Sequence, residues 1–147
     1  MKIIFLDIDG VLNSVNSFKY QHRRNIQDYD EPFPHYVKIL NLILRKTDAE
    51  IVLSSTWRIH GLDYMNKLFE QCGIIKQIFS MTPRLHIKRG LEIQRWLDDH
   101  KDLEIESFVI IDDDSDMEHL MDHLVKTDNK TGLTKKYIQP ILERLNR

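Results

Sequence analysis

Cysteine is almost missing from this 147-residue chain: Cys72 stands alone. One thiol makes neither an internal disulfide framework nor a cysteine-rich zinc site, so a packed core has to hold the fold. Glycine and proline are scarce, at 5 and 4 residues, which excludes collagen-like and low-complexity chains. No apolar run approaches the ~20 residues of a bilayer-crossing helix. The opening run Ile3 to Leu6 is cut off by Asp7 and Asp9, short of the ~7–15 apolar residues of a signal peptide. A cytoplasmic location, with no membrane contact and no disulfide-linked partner, is therefore expected. Neither sign of charge dominates: 21 Lys and Arg face 23 Asp and Glu, for a net charge of -2. The chain is no polycation, and any polyanion would have to be held by a local patch.

What remains is the composition of a globular protein, 41% hydrophobic and 30% charged. The length fits a single domain, read as residues 1–147. Three short runs read as buried strands: Ile3-Ile4-Phe5-Leu6, Glu50 to Ser54, and Phe108 to Ile111. None alternates polar with apolar, so the sheet is expected to be covered on both faces, as parallel sheets are. Ile74 to Phe79 and His123 to Lys126 are weaker strand candidates. Apolar residues at helical spacing follow Pro34 (Val37, Leu40, Ile43, Leu44) and run from Leu62 to Cys72, where Gly73 is placed to end the helix. Further helices are expected after Gly90 and over Tyr137 to Leu145, the last with Thr134 as N-cap. Strands alternating with helices predict an α/β fold, doubly wound around a mainly parallel, Rossmann-like sheet. Cys72 lies on an apolar stripe and reads as a packing residue.

Asn13 to Phe33 shows no clear period and is rich in charge and amide, including His22, Arg23, Arg24, Asn25, Gln27, Asp28, Asp30 and Glu31. Connections beyond ~12–15 residues are usually functional or disordered. This one follows the first strand, at the edge where open α/β sheets bind ligands, and reads as a loop or flap insertion.

Polar clusters close the three strong strands: Asp7-Ile8-Asp9-Gly10, Ser54-Ser55-Thr56, and Asp112-Asp113-Asp114 followed by Asp116. The basic pair Lys88-Arg89 precedes a helix between the last two. Parallel strands would bring these ends to one crevice. Carboxylates crowded there repel one another unless a cation neutralises them, and an all-oxygen ligand set suits Mg2+ better than Zn2+. Such a site would attract a phosphate, with Ser54 donating to one oxygen and Lys88 or Arg89 neutralising another. A carboxylate beside that phosphate can act as a nucleophile.

In this order, Phe5-Leu6-Asp7-Ile8-Asp9-Gly10-Val11, Ile51 to Ser55, Lys88-Arg89-Gly90 and Val109 to Asp113 resemble the haloacid dehalogenase (HAD) superfamily of phosphohydrolases over nearly the whole chain. Ser54-Ser55-Thr56-Trp57-Arg58, Thr82-Pro83, Arg89 to Ile93 with Trp96-Leu97, and Gly132-Leu133-Thr134 are similar to HAD domains of bacterial and phage proteins, some fused to RNA-repair modules. The resemblance implies a Mg2+-dependent phosphomonoesterase working through an aspartyl-phosphate. Asp7 would be the nucleophile. Asp9 would be the general acid and then the base, with its carbonyl on the metal. Ser54 and the backbone of Ser55 would bind phosphate together with Arg89, Lys88 being the alternative. Asp7, Asp9, Asp112, Asp113 and Asp116 would form the metal site. The segments from Asn13 to Phe33 and from Met81 to Lys88 are too short for a cap domain. Capless members of the superfamily tend to act on large substrates. The implied substrate is a phosphorylated nucleic-acid end or nucleotide; the alternatives are a small metabolite or a phosphate-binding module without catalysis.

Other residues have plainer readings. His119 and His123, spaced i, i+4, lack a third ligand and read as surface residues. Lys19, His22, Arg23 and Arg24 fit a solvated loop as well as a clamp on a polyanion. Trp57 reads as packing, and Arg58 as either an anion ligand or the partner of a structural acid. A receiver domain also gathers acids around Mg2+, but its paired acids follow the first strand, and here the pair comes last.

Overall fold

A computed structural model describes residues 1–26 and 31–146 of the chain. Five strands, β1 (Lys2–Leu6), β2 (Glu50–Leu53), β3 (Ile78–Met81), β4 (Ser107–Asp112) and β5 (Leu124–Lys126), form one sheet in the order β3-β2-β1-β4-β5. Every pairing is parallel. The fold is therefore the expected open α/β sheet. β1 lies at its centre, and Ile3, Ile4, Phe5 and Leu6 are fully buried.

The unbroken apolar runs follow from that position. Successive strand residues point to opposite faces, so a strand covered on both sides has no polar positions to offer. Ile4 and Leu6 of β1, Ile51 and Leu53 of β2, and Val109 and Ile111 of β4 enter one core. Ile3, Phe5, Val52 and Ile110 enter the other. The first core is covered by α2 (Pro34–Thr47), α3 (Leu62–Gln71) and α5 (Ile138–Leu145). The second is covered by α4 (Arg89–Asp99), through Ile93 and Trp96, and by the 3-10 turn Glu118–His123. Trp96 meets Phe5 edge to face at 5.4 Å.

Three local expectations need correction. The segment 13–33 is not without structure: α1 (Val15–Arg23) starts within it. Ser14 accepts from the backbone N–H of Ser17, and the Ser17 hydroxyl closes the box by accepting from the Ser14 N–H. Serine in place of the usual Glu or Gln hid that start from the sequence. Gln27, Asp28 and Asp30 lie outside the described residues. Ile74 is not in a strand. It donates to the Phe69 carbonyl while Gly73, at φ +82°, donates to Glu70, which is the hydrogen-bonding that closes a helix C-terminus. β3 accordingly starts only at Ile78. Thr134 makes no side-chain cap. A 3-10 turn, Lys135–Tyr137, precedes α5. Pro140 lacks the N–H that would bond the Lys136 carbonyl, so the α-helix can contain it only in its first turn.

Residues 82–88 connect β3 to α4 directly, with no cap domain between them. No described helix is long and apolar enough to cross a membrane.

Candidate active site

The chain leaves β1 toward one edge of the sheet, through β2 and β3, and returns to the other side at β4. The point where strand order reverses, between β1 and β4, is where open α/β sheets form a crevice beyond their carboxyl ends. Asp7 follows β1, Asp112 ends β4, and Ser54 follows β2. The register continues past the strands: Asp7 donates its N–H to the Ile111 carbonyl, and Ser54 donates to Leu6. Three adjacent strand ends thus deliver two carboxylates and a hydroxyl to one place.

Asp113 completes the acidic group. Asp7, Asp112 and Asp113 each offer a carboxylate oxygen, all within 4.8 Å of one another. Gly10 makes this approach possible. It turns with φ +81°, and a Cβ there would fall 2.2 Å from Asp113 Oδ2. Thr127, next to β5, ties the same loops together. Its hydroxyl donates to the Gly10 carbonyl at 2.8 Å, and its N–H donates to the Asp112 carbonyl.

Burial sets the electrostatics. Asp7 and Asp112 are nearly inaccessible, and desolvation raises the pKa of both carboxyls above the ordinary value of 3.8. Arg89 opposes the shift at both, while the charge of Asp113 adds to it at Asp7 and the charge of Asp7 adds to it at Asp112. Arg89 Nη1 lies 3.6 Å from Asp7 Oδ1 and 3.4 Å from Asp112 Oδ2. One guanidinium facing three carboxylates leaves an uncompensated negative charge, the condition under which a hard divalent cation binds. The donor set, all carboxylate oxygen, fits Mg2+.

Ser54 supplies an independent sign of a ligand. Its Oγ is fully buried and has no hydrogen-bond partner among the described residues. Such a hydroxyl costs about 1–3 kcal/mol if nothing ever bonds it. Ser55 is committed differently. Its Oγ accepts from Trp57 N–H and caps the 3-10 turn Thr56–His60.

Asp9 stands apart from the acidic group and is exposed. Two donors converge on its Oδ1: Asn13 Nδ2 at 2.9 Å and the indole Nε1 of Trp57 at 3.1 Å. Oδ2 has no partner among the described residues. Trp57 is therefore more than a packing residue, although part of its ring does rest on the core. Beside Asp9 opens a cavity of about 730 Å3.

The two basic candidates separate cleanly. Arg89 faces the acids from the first turn of α4. Lys88 is 66% exposed at its side chain and pairs with Glu118 at 2.9 Å, so it is not part of the cluster. Asp116 also falls outside the acidic group. Its carboxylate accepts from Arg89 N–H and its carbonyl from Gly90 N–H, so it holds the N-terminus of α4 in place. Gly90 allows this packing, because a Cβ there would lie 2.2 Å from the Met117 carbonyl oxygen.

Behind Arg89 sits a support that sequence reasoning missed. The Glu92 side chain is 5% exposed. It accepts from Arg58 Nη2 at 3.1 Å and from Leu85 N–H at 2.7 Å, and lies 3.7 Å from Arg89 Nε. Arg58, equally buried, also donates to Ser55 O, Thr82 O, Thr82 Oγ1 and Pro83 O. Its pKa is lowered, chiefly by burial. Of its two readings, partner of a structural acid is the one that holds. The signal was the Arg89-x-x-Glu92 spacing, which puts both side chains on one face of a helix.

The remaining candidates lie away from the site. His119 bonds Gln94 and His123 stacks on Phe108 at 3.9 Å, since the 3-10 segment Glu118–His123, at about three residues per turn, does not align i with i+4. Lys19, Arg23 and Arg24 are exposed on or just past α1, and none lines the cavity beside Asp9. The Arg24 guanidinium sits over the Tyr20 ring, 3.8 Å from its centroid. Burial pushes the Cys72 thiol up to about 11, which keeps it protonated and unreactive.

Among known proteins, a family model described as the HAD domain in Swiss Army Knife RNA repair proteins matches residues 3–138. None of the curated proteins matches the chain. None of the solved structures matches it either.

Proposed function

The chain belongs to the family of HAD domains found in Swiss Army Knife RNA repair proteins, and from that premise we propose that it is a Mg2+-dependent phosphomonoesterase. The observation that carries the reading is the unpartnered, fully buried Ser54 hydroxyl at the strand end next to Asp7, in a crevice closed by Arg89. A phosphoryl group satisfies both at once. Ser54 and the Ser55 backbone hold one part of it, and Arg89 neutralises another.

In this reading Asp7 attacks phosphorus. The bond to the leaving oxygen breaks as the bond from the Asp7 carboxylate oxygen forms, and Asp9 gives its proton to that leaving oxygen. Asp9, now a carboxylate, takes a proton from water. The water oxygen attacks the aspartyl-phosphate, releases inorganic phosphate and restores Asp7. Asn13 and Trp57 orient Asp9 through Oδ1 and leave Oδ2 for both transfers. Asp7, Asp112, Asp113 and the Asp9 carbonyl would hold Mg2+, which would supply the positive charge that lets the acids stay ionised beside a phosphate. Residues 1–147 act as a single domain with 13–33 as a short flap. The substrate is a phosphorylated nucleic-acid end or nucleotide, in keeping with the RNA-repair description of the family and with a site no cap encloses.

The test is phosphate release with Mg2+ from 3′- and 5′-phosphorylated oligonucleotides and from a metabolite panel, for the wild type and Asp7→Asn. Asp7→Asn should lose turnover while still binding Mg2+, more weakly, through Asp112 and Asp113. Normal release by that variant would rule out covalent catalysis at Asp7.

A further inference from the structure

The cavity beside Asp9 has no role in the steps above. Its volume, about 730 Å3, lies within the ~300–1,000 Å3 of small-molecule sites. One stretch of chain lines it with three rings: Trp57, His60 and Tyr64. Trp57 and His60 meet at 5.8 Å and 73°, and His60 and Tyr64 at 5.0 Å and 35°. Positions 57 and 60 are one turn apart in the 3-10 segment, and Tyr64 follows in the first turn of α3. Tyr64 is 54% exposed, so a large aromatic face is presented to solvent and not used by the core.

The wall begins at the acid/base. The Trp57 indole donates to Asp9 Oδ1, so a group whose oxygen receives the Asp9 proton extends directly along these rings. Arg84 lines the same cavity and also the adjoining cleft of about 200 Å3 that contains Arg89. Among the described residues Arg84 has neither an ion-pair nor a hydrogen-bond partner, in contrast to the fully engaged Arg58. A flat ring system that stacks on the rings, joined to a second anion that reaches a free guanidinium, is the chemistry of a nucleotide unit.

We propose that this cavity is a nucleobase subsite: His60 and Tyr64 stack the base of the leaving nucleoside, and Arg84 takes an adjacent phosphodiester. Calling the nucleoside a leaving group rests on the phosphatase reading; the stacking site itself does not. A free nucleotide and a nucleic-acid end share the base, and Arg84 separates them, because only the chain end carries the second phosphate.

Equilibrium dialysis with adenosine, ribose and the dinucleoside monophosphate ApA tests this on the wild-type chain, and none of the three is a phosphomonoester. Adenosine should bind saturably and ribose should not. Tyr64→Ala should weaken adenosine binding about fivefold or more, and Tyr64→Phe should keep it, since the ring and not the hydroxyl is used. Tyr64 is exposed enough that neither variant threatens folding. Tighter binding of ApA than of adenosine, with the gain lost in Arg84→Ala, assigns the site to a chain end. Equal binding of the two assigns it to a free nucleotide and removes Arg84 from the subsite. Adenosine binding no tighter than ribose, or unchanged in Tyr64→Ala, overturns the proposal. Phosphate release is scored separately: adenosine binding without hydrolysis of any phosphomonoester leaves the subsite and defeats the phosphatase, and the converse result does the opposite.

Discussion

The Arg58 guanidinium and the Glu92 carboxylate meet at 3.1 Å with their side chains 5% exposed each, directly behind the arginine that faces the acidic cluster. A buried pair of this kind is weak as a source of stability compared with apolar packing, but costly to break, because the survivor is left as a buried charge. Here it joins three segments: the turn after β2, the start of the β3–α4 connection, and α4. Glu92→Ala should therefore destabilise the fold by about 3–5 kcal/mol, read from urea unfolding. A loss below about 1 kcal/mol would mean that Arg58 finds another acid or water, and that the pair does not hold the site together.

Ser54 should behave in the opposite way. Its hydroxyl has no hydrogen-bond partner among the described residues, so Ser54→Ala removes an unsatisfied buried group. Stability should stay level or rise by about 1 kcal/mol. Phosphatase kcat/KM should fall about tenfold or more, the worth of a hydrogen bond to a charged phosphate. A destabilised but fully active variant would show that Ser54 has a structural partner and no ligand.

The two basic neighbours differ enough to be told apart by single substitutions. Arg89→Ala leaves Asp7 and Asp112 without their only nearby cation among the described residues, and turnover should drop by two orders of magnitude or more. Lys88→Ala breaks only an exposed contact with Glu118, and both Tm and kcat/KM should stay within twofold-equivalent error of the wild type. Parallel kinetics of the two variants decide the assignment, and a larger loss for Lys88→Ala would reverse it.

Stability should depend on pH with a sign opposite to that of an ordinary salt-bridged carboxylate. Asp7 and Asp112 have folded pKa values raised above 3.8, so above that pH the folded chain holds more protons than the unfolded chain. Stability of the metal-free protein then falls as pH rises from about 4 through the raised folded values, and levels off above them. Mg2+ competes with those protons, so it should raise Tm more at pH 8 than at pH 5. Melts in EDTA and in Mg2+ at the two pH values check this. An equal or larger Mg2+ effect at pH 5 would place the cation elsewhere.

Much of the molecule could be read along the chain because its causes are local or periodic. A strand buried on both faces must be apolar at consecutive positions, so β1, β2 and β4 announce themselves, and so does the parallel sheet they imply. With parallel strands, polar residues placed just after each run must share one edge, and Asp7, Ser54, Asp112 and Asp113 could be grouped from the sequence. Local pattern was already weaker where partners substitute for one another, as when Ser17 stands in for the usual acid of a capping box and hides α1. What only the tertiary structure decided depends on distances between segments far apart in sequence. Lys88 and Arg89 are adjacent and equally basic; the packing of Gly90 against Met117 and the grip of Asp116 on the helix start aim one at the acids and leave the other in solvent. Asp116 looks like a metal ligand four residues after Asp112, but it lies outside the acidic group, where its Oδ2 and its carbonyl accept from the first N–H groups of α4. Glu92, Arg58 and Thr82 meet only because the start of α4 folds against the turns that follow β2 and β3. Hydrogen bonding and desolvation act over a few ångströms, and a chain that returns to the same crevice from three strands sets those distances only once it has folded.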